Sequence, residues 1–427
     1  MFSGVVSKLG FAGLPFQVRI LILLSLLFSL GRNLAFPYLA MYLTGKAADG
    51  GLEIDASLVG FMIMVGGFAY IFPLLFTGSL CDRFGRRKMM CLFVVSQIFL
   101  TAGYAFATSI TEFFALYVAI NIIGAFYDPA YSAMVADLVQ PNRREEVYGL
   151  SYMIANIGTV VSPVVGGIIA ITNGFSVLFI YATVFMTVGA VIVLAFVRES
   201  LHTGESPRSV TLSQFVGVFR HRLFILFCLL GALTNVVYSQ LYGLLSVYTT
   251  KYVGLPSYFF GILFSVNGIM VVSMQIPVRK AAVKVGSTKA FIVAQLFYAV
   301  GFTYFLLSRD FVQFLTGVVV LTFGEIIFVP AISGFVADLS PVDMRGRYSA
   351  LAGLFFGIGG SVGSLIGFRL YDVLPNKELI WAVLGAIAFA TLPGYLYLLK
   401  AQEQQTNIRK SKFDHKADRM SNFKKGQ

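Results

Sequence analysis

DPAYSAMVADLVQP, Asp128 to Pro141, returns farther along the chain as VPAISGFVADLSP, Val329 to Pro341. Pro129 maps onto Pro330, Asp137 onto Asp338, Gly158 onto Gly359 and Gly166 onto Gly367, an offset of 338 − 137 = 201 residues. The same offset carries Gly60 to Gly261, Gly67 to Gly268, Gly85 to Gly286 and Lys88 to Lys289. Two similar halves in a membrane chain are the usual plan of a carrier, with a site where the halves meet.

Composition puts the chain in a bilayer. Hydrophobic residues make up 57% and charged residues 12%, about half the charge of an ordinary soluble domain, and mean hydropathy is +0.81. Twelve apolar stretches are long enough to cross about 30 Å of hydrocarbon as helices: about 18–43, 57–81, 89–108, 112–138, 147–171, 174–197, 223–249, 257–278, 289–308, 311–338, 348–371 and 379–399. Barrel strands would be near 10 residues, with alternating polarity.

An even number of spans puts both termini on one side. That side holds 26 of the 32 Lys and Arg residues; Lys46, Lys251, Arg309, Arg369 and Lys377 fall opposite, and Arg32 lies inside a span. Both termini are therefore expected in the cytoplasm, with the chain multi-pass in the plasma membrane. The net charge of +12 reflects topology and does not point to a nucleic-acid partner. The first apolar run is too long for a cleavable signal peptide and has no small-residue cleavage site. Cys81, Cys91 and Cys228 suggest neither disulfide nor metal cluster, and no metal or cofactor is expected. His202, His221 and His415 fall in cytoplasmic segments, which excludes a histidine proton relay in the membrane.

The chain divides into an N-terminal six-helix bundle (1–197), a cytoplasmic linker (198–222), a C-terminal six-helix bundle (223–400) and a basic tail (401–427). From Leu212 the linker places Phe215, Val218, Phe219 and Leu223 at helical spacing, as an interfacial helix would. No G-x-x-x-x-G-K-[ST] loop is present, so uphill transport must draw on an ion gradient. Nothing in the pattern indicates an enzyme.

Between spans two and three stands GSLCDRFGRRK, Gly78 to Lys88. It resembles the G-x-x-x-D-R-x-G-R-R/K loop signature of the major facilitator superfamily in all its fixed positions. The resemblance covers residues 15–400. It implies an all-α membrane fold of twelve transmembrane helices in two pseudo-symmetric six-helix bundles. It also implies a cytoplasmic gate in which Gly78, Asp82, Arg83, Gly85, Arg86 and Arg87 tie helix ends together, with Asp137 and Asp338 as ion-pair partners. In that family the loop aspartate docks on span eleven when the carrier faces outward; a carboxylate of this kind can sit at the positive end of a neighbouring helix. The second-half copy, Arg279 to Lys289, has Val283 where the aspartate would be, which makes the gate asymmetric.

Span five reads GLSYMIANIGTVVSPVVGG, Gly149 to Gly167. It resembles the G-x8-G-x3-G-P-x2-G-G pattern of the proton-antiporting branches: Gly149, Gly158, Pro163, Gly166 and Gly167 match, and Ser162 replaces a glycine. The pattern packs helices closely, and its link to export is by association. One departure from related antiporters is Ile120, followed by Asn121, where they carry an arginine four residues before Gly124.

Three charges lie within the spans: Arg32 in span one, Asp128 in span four and Glu325 in span ten. Counted from the cytoplasmic ends at roughly 1.5 Å per residue, they are about 20, 13 and 20 Å deep. Such groups face water or a partner, and in the family fold spans one, four, seven and ten line the central cavity. Glu325 is the first choice of proton carrier, Asp128 the second, with Arg32 as electrostatic partner; the alternative is a structural ion pair of Arg32 with one carboxylate. Asn33, Tyr38, Asn121, Tyr127, Tyr131, Asn235, Tyr238, Gln240 and Tyr242 form the expected substrate lining. The expected activity is proton-coupled antiport exporting hydrophobic or amphipathic organic molecules by alternating access, of the drug:proton antiporter kind. The alternatives are a proton symporter or a carrier of a sugar-like or lipid-like metabolite, or a non-transporting sensor. A monomer is expected, with a small-molecule substrate, protons and the lipid bilayer as its partners.

Overall fold

The computed structural model describes residues 13–46, 50–201, 217–341 and 344–404. They form an all-α, multi-span membrane fold. Spans one to three are Phe16–Thr44, Ala56–Phe84 and Arg86–Phe106, and span four is Ile110–Gly124 followed by Tyr127–Leu138. Spans five and six are Arg144–Asn173 and Phe175–Phe196. Span seven runs through Arg222–Tyr252, span eight is Ser257–Val285, nine Ser287–Phe305, ten Phe311–Leu339, eleven Arg345–Val373 and twelve Leu379–Gln404. Helices are the natural form here because hydrocarbon offers no partner for backbone N–H and C=O groups.

Eleven of these have the length and apolarity of membrane spans. Span nine falls short because Ser287, Thr288 and Lys289 occupy its first turn and it buries Gln295; it still packs along spans ten and twelve. Of the expected linker helix, Leu212 and Phe215 lie outside the described residues. Residues 217–219 form one helical turn, with Val218 buried and Phe219 exposed. The tail beyond Gln404 also lies outside them.

Two of the four spans expected to line a cavity are interrupted. Span four breaks at Ala125–Phe126, where Pro129 has no N–H to give and its ring crowds the carbonyl four residues back. Its copy Pro330 sits inside the continuous helix of span ten. Span seven passes through a tight turn at Ser239–Leu241 and a loosened one at Tyr248–Tyr252, with Gly243 between.

The duplicated glycines explain how the halves meet. Two crossings join them: span two against span eleven, and span eight against span five. A Cβ on Gly60 would lie 2.6 Å from the Phe368 Cβ, and one on Gly268 would lie 2.9 Å from Val160. Gly67 abuts Ser361, and Gly261 abuts the Pro163 carbonyl and the Tyr38 hydroxyl. Within each half, Gly158 packs on Ser29 and Leu30 of span one, while its copy Gly359 packs on Ala232 of span seven.

The two faces of the molecule differ. Call terminal the face where the chain enters span one and leaves span twelve, and far the opposite one. One buried apolar cluster takes in the C-terminal half and crosses to the far ends of spans one to six, through Leu39, Val59, Phe113 and Phe179. A second, with Val18, Met90, Met134 and Val193, stays in the terminal ends of the first six spans. Gly78, Gly149, Gly346 and Gly353, on the terminal halves of spans two, five and eleven, have nothing within 4 Å of a Cβ position. Among the described residues the halves are in contact at the far face, while these four positions at the terminal face are open. At the far face Asp372 Oδ2 of span eleven accepts the Ser57 N–H, 2.6 Å away, capping the first turn of span two across the interface.

A helix-end cap of this kind is worth about 0.3–1 kcal/mol, so Asp372→Asn is expected to raise far-face opening up to about fivefold. The check is labelling of a Ser364→Cys reporter by an impermeant maleimide, with Cys81, Cys91 and Cys228 replaced by alanine.

Candidate functional site

The loop after span two turns on Gly85, whose φ of 101° suits glycine; its copy Gly286 has φ 92°. A side chain on Gly85 would collide with the Glu199 carboxylate. That carboxylate, just past span six, accepts the N–H groups of Arg86 at 3.0 Å and Arg87 at 3.2 Å, capping span three. Arg86 is buried between Asp82 (3.1 Å) and Asp137 (3.3 Å). Ser200 Oγ donates to Asp137 Oδ2 at 2.7 Å, and Arg87 Nη2 donates to the Leu194 carbonyl at 3.0 Å.

The structure places Asp82, Gly85, Arg86, Arg87 and Asp137 together but leaves out Asp338, which is exposed and forms no ion pair among the described residues. The reason is local: Arg86 falls on Ser287 at the 201-residue offset. Arg83 is turned away, over the Phe84 ring. Glu199 and Ser200 were missed, since neither lies in the loop motif.

The three intramembrane charges form two separate groups, one in each half. In the N-terminal half, Arg32 is exposed at the seventeenth of the 29 residues of span one, within electrostatic range of Tyr70 and Tyr117. Asp128 occupies the first turn after the break in span four, where a helix N-terminus favours an anion, and accepts the Tyr70 hydroxyl at 3.0 Å. Gly66 leaves room for Tyr117 and Asn121 beside them.

In the C-terminal half, Glu325 is the fifteenth of the 29 residues of span ten. Asn267 Nδ2 of span eight donates to its Oε2 at 2.7 Å and to Thr322 Oγ1 at 3.0 Å. Tyr238 and Tyr242 of span seven, Tyr298 of span nine and Tyr152 of span five surround it within electrostatic range. Among the described residues neither Arg32, Asp128 nor Glu325 has an opposite charge within 4 Å. The structural ion pair weighed as the alternative is absent.

The expected lining divides in two. Tyr238 and Tyr242, hydrogen-bonded to each other, lie at Glu325; Asn121, half-buried, lies by Tyr117. Others serve packing. Tyr38 is buried and donates to the Pro163 carbonyl, and Gln240 is buried and donates to the Gly363 carbonyl at 2.8 Å. They are near-copies of one device, each fastening the first span of its half to the fifth. Asn33 joins Ser29 and Thr159 at 3.0 and 3.3 Å. Tyr131 bonds Ser151, Tyr127 meets Phe28 edge-to-face and lies tilted against Phe93, and Asn235 donates to the Gly231 carbonyl at 2.9 Å. Tyr38, Gln240, Asn33 and Tyr131 each satisfy a neighbouring helix, whereas Asn235 bonds the preceding turn of its own span. The span-five motif likewise packs helices, with Gly158 and Gly166 against span one, Pro163 and Gly167 against span eight, and Ser162 buried.

Tyr38→Phe leaves the Pro163 carbonyl without its donor, a cost of roughly 1–3 kcal/mol. The expected result is a Tm lower by several degrees with unchanged solute KM, measured by thermal unfolding and transport. Glu199→Gln keeps the shape but removes the charge that caps span three, and is expected to slow turnover severalfold without altering KM.

The sequence profile of the Major Facilitator Superfamily matches residues 21–363 and 243–424. The chain is 25% identical over 403 residues to a Na(+), Li(+), K(+)/H(+) antiporter of Planococcus maritimus, covering 86% of this chain and 91% of that one. It is 23% identical over 382 residues to the quinolone resistance protein NorA of Staphylococcus aureus, covering 86% and 93%. Its fold is similar to the crystal structure of the peptide transporter POT in complex with sulfate, with TM-score 0.78 and 18% identity over 91% of this chain and 95% of that one. With this match along nearly all its spans, on a two-bundle architecture, the chain is a membrane transporter and no enzyme: it belongs to the Major Facilitator Superfamily.

Proposed function

We propose that this secondary-active, proton-coupled carrier is a symporter. It moves a polar organic solute that bears a hydrogen-bond-accepting or anionic group, together with a proton bound at Glu325. The observation that carries the reading is the placement of Arg32 and Glu325: mid-span charges in opposite halves, neither paired with an opposite charge among the described residues. An exposed arginine at that depth offers a forked donor to a carboxylate-like group.

Charge balance supplies the coupling. Arg32, Asp128 and Glu325 together carry one net negative charge, and a proton on Glu325 brings the sum to zero. A neutral cavity changes sides more readily than a charged one. In this reading the neutral or zwitterionic solute binds the protonated cavity, and the proton gradient drives uptake. The Lys and Arg tally supports a cytoplasmic terminal face in the plasma membrane, so the conformation described is the inward-open one. The carrier works as a monomer, its halves (1–197 and 223–400) rocking about their two crossings.

Export by proton exchange is the second reading. It is favoured by the glycine–proline pattern of span five and by relatives named for antiport and quinolone resistance. In it, a cationic solute replaces the proton on Glu325.

Liposomes loaded with a pH dye separate the two. In a screen of zwitterionic, anionic and cationic compounds, a symported solute added outside acidifies the interior and an exchanged cation alkalinises it. Glu325→Gln, an analogue of the protonated acid, is expected to abolish solute-driven proton flux while preserving solute counterflow. Wild-type proton flux in that variant would remove Glu325 from the mechanism.

A further inference from the structure

We propose that Asn267 is a positioning residue that holds the Glu325 carboxyl group and ties its protonation to the crossing of spans five and eight. The proposal rests on Glu325 being the proton site.

Asn267 is buried, at 4% exposure, with both amide hydrogens committed: one to Glu325 Oε2, one to Thr322 Oγ1. Thr322 is fixed in turn by donating to the Val318 carbonyl at 2.7 Å, so its oxygen can only accept from the amide. The amide is thereby oriented with its donor on the acid. The other polar groups facing Glu325 are the hydroxyls of Tyr238, Tyr242, Tyr298 and Tyr152. They arrive from spans seven, nine and five, and none carries a cation.

The neighbours of Asn267 along span eight are the crossing itself. Two residues before it, Ser265 Oγ donates to the Val160 carbonyl of span five. One residue after it, Gly268 lets the Val160 side chain approach. Span eight therefore grips span five with one side of a turn and Glu325 with the other.

A hydrogen bond to an ionised carboxylate is stronger than one to a neutral acid. With Glu325 ionised, Asn267 pins span eight to span ten. When a proton arrives the bond weakens, and span eight is freer to shift along span five. That shift is what opening the far face requires.

The test needs no solute. In the full chain with its native cysteines replaced by alanine, impermeant maleimide labelling of Ser364→Cys, divided at each pH by labelling of the same chain denatured so that thiol ionisation cancels, reports far-face opening as a function of pH. Labelling is expected to rise as pH falls. In Asn267→Ala the midpoint should move upward by about one pH unit, the order expected for one lost charge-assisted hydrogen bond. Thr322→Val, which leaves both amide and acid in place, should move it the same way by less, and decides the matter if Asn267→Ala does not fold. Glu325→Gln should give a pH-independent profile. If Glu325→Gln is flat but both other variants keep the unsubstituted midpoint, the role of Asn267 is overturned and that of Glu325 stands. A Glu325→Gln profile that still titrates overturns both, as does labelling of the parent that ignores pH.

Discussion

Everything in this molecule depends on two close helix crossings, spans two with eleven and eight with five, which bring backbones together at Gly60, Gly67, Gly261 and Gly268. Lipid tails are as apolar as the side chains, so hydrophobic burial gives the helices little reason to associate; contact area and close approach must do it. A Cβ at these four positions would meet backbone or side-chain atoms at under 3 Å. The crossings are also the main joints between halves, so they hold the carrier together and set the line about which it can rock. Packed interfaces of this kind move between discrete arrangements rather than deforming continuously.

On that symmetric frame the chemistry is asymmetric. Moved back by 201 residues, Glu325 falls on Gly124 and Asn267 on Gly66. Those two glycines adjoin the other polar group: Gly124 is near Tyr70, and Gly66 makes room for Tyr117 and Asn121. Where the C-terminal half places an acid and its amide, the N-terminal half leaves space for a cation and tyrosines. The terminal-face cluster shows the same division, with Arg86 and Asp137 paired in one half and, at the equivalent places, Ser287 and an Asp338 that forms no ion pair among the described residues. Duplication supplied the crossings; divergence supplied unlike polar groups in the two halves.

This explains which parts were legible beforehand. Backbone proximity and turn geometry demand particular residues, so the glycines at the crossings and at positive φ left a trace that a fixed offset exposes. Mid-span charges were legible because burying one in hydrocarbon is costly enough to make it rare. The partners of Glu325 were not. Asn267, Thr322 and Tyr298 are single polar residues on three different apolar spans, and only tertiary packing decides which of them face one another. Tyr38 and Gln240 show the reverse: a polar side chain on a cavity span can serve a neighbour's backbone, and nothing in its own stretch says so. That Asp338 lacks the arginine its copy has was readable, since offset arithmetic puts Ser287 there.

The carboxylates at helix ends fall into two classes by what they join. Glu199 and the span-three turn it caps belong to one half, so that cap can survive any relative motion and keeps the bundle rigid. Asp372 caps span two from the other half, and the cap must be given up whenever the far face opens. At about 0.3–1 kcal/mol it cannot lock the carrier, because moving a two-state equilibrium from 1:99 to 99:1 takes about 5.5 kcal/mol. The closed far face must therefore be the sum of several such terms: this cap, the Ser265–Val160 bond, and the apolar cluster that bridges the halves. On the proposal that Glu325 carries the proton, its protonation adds one more term to that sum. A switch poised among small terms can be turned by a single proton, and one held by a large interaction could not.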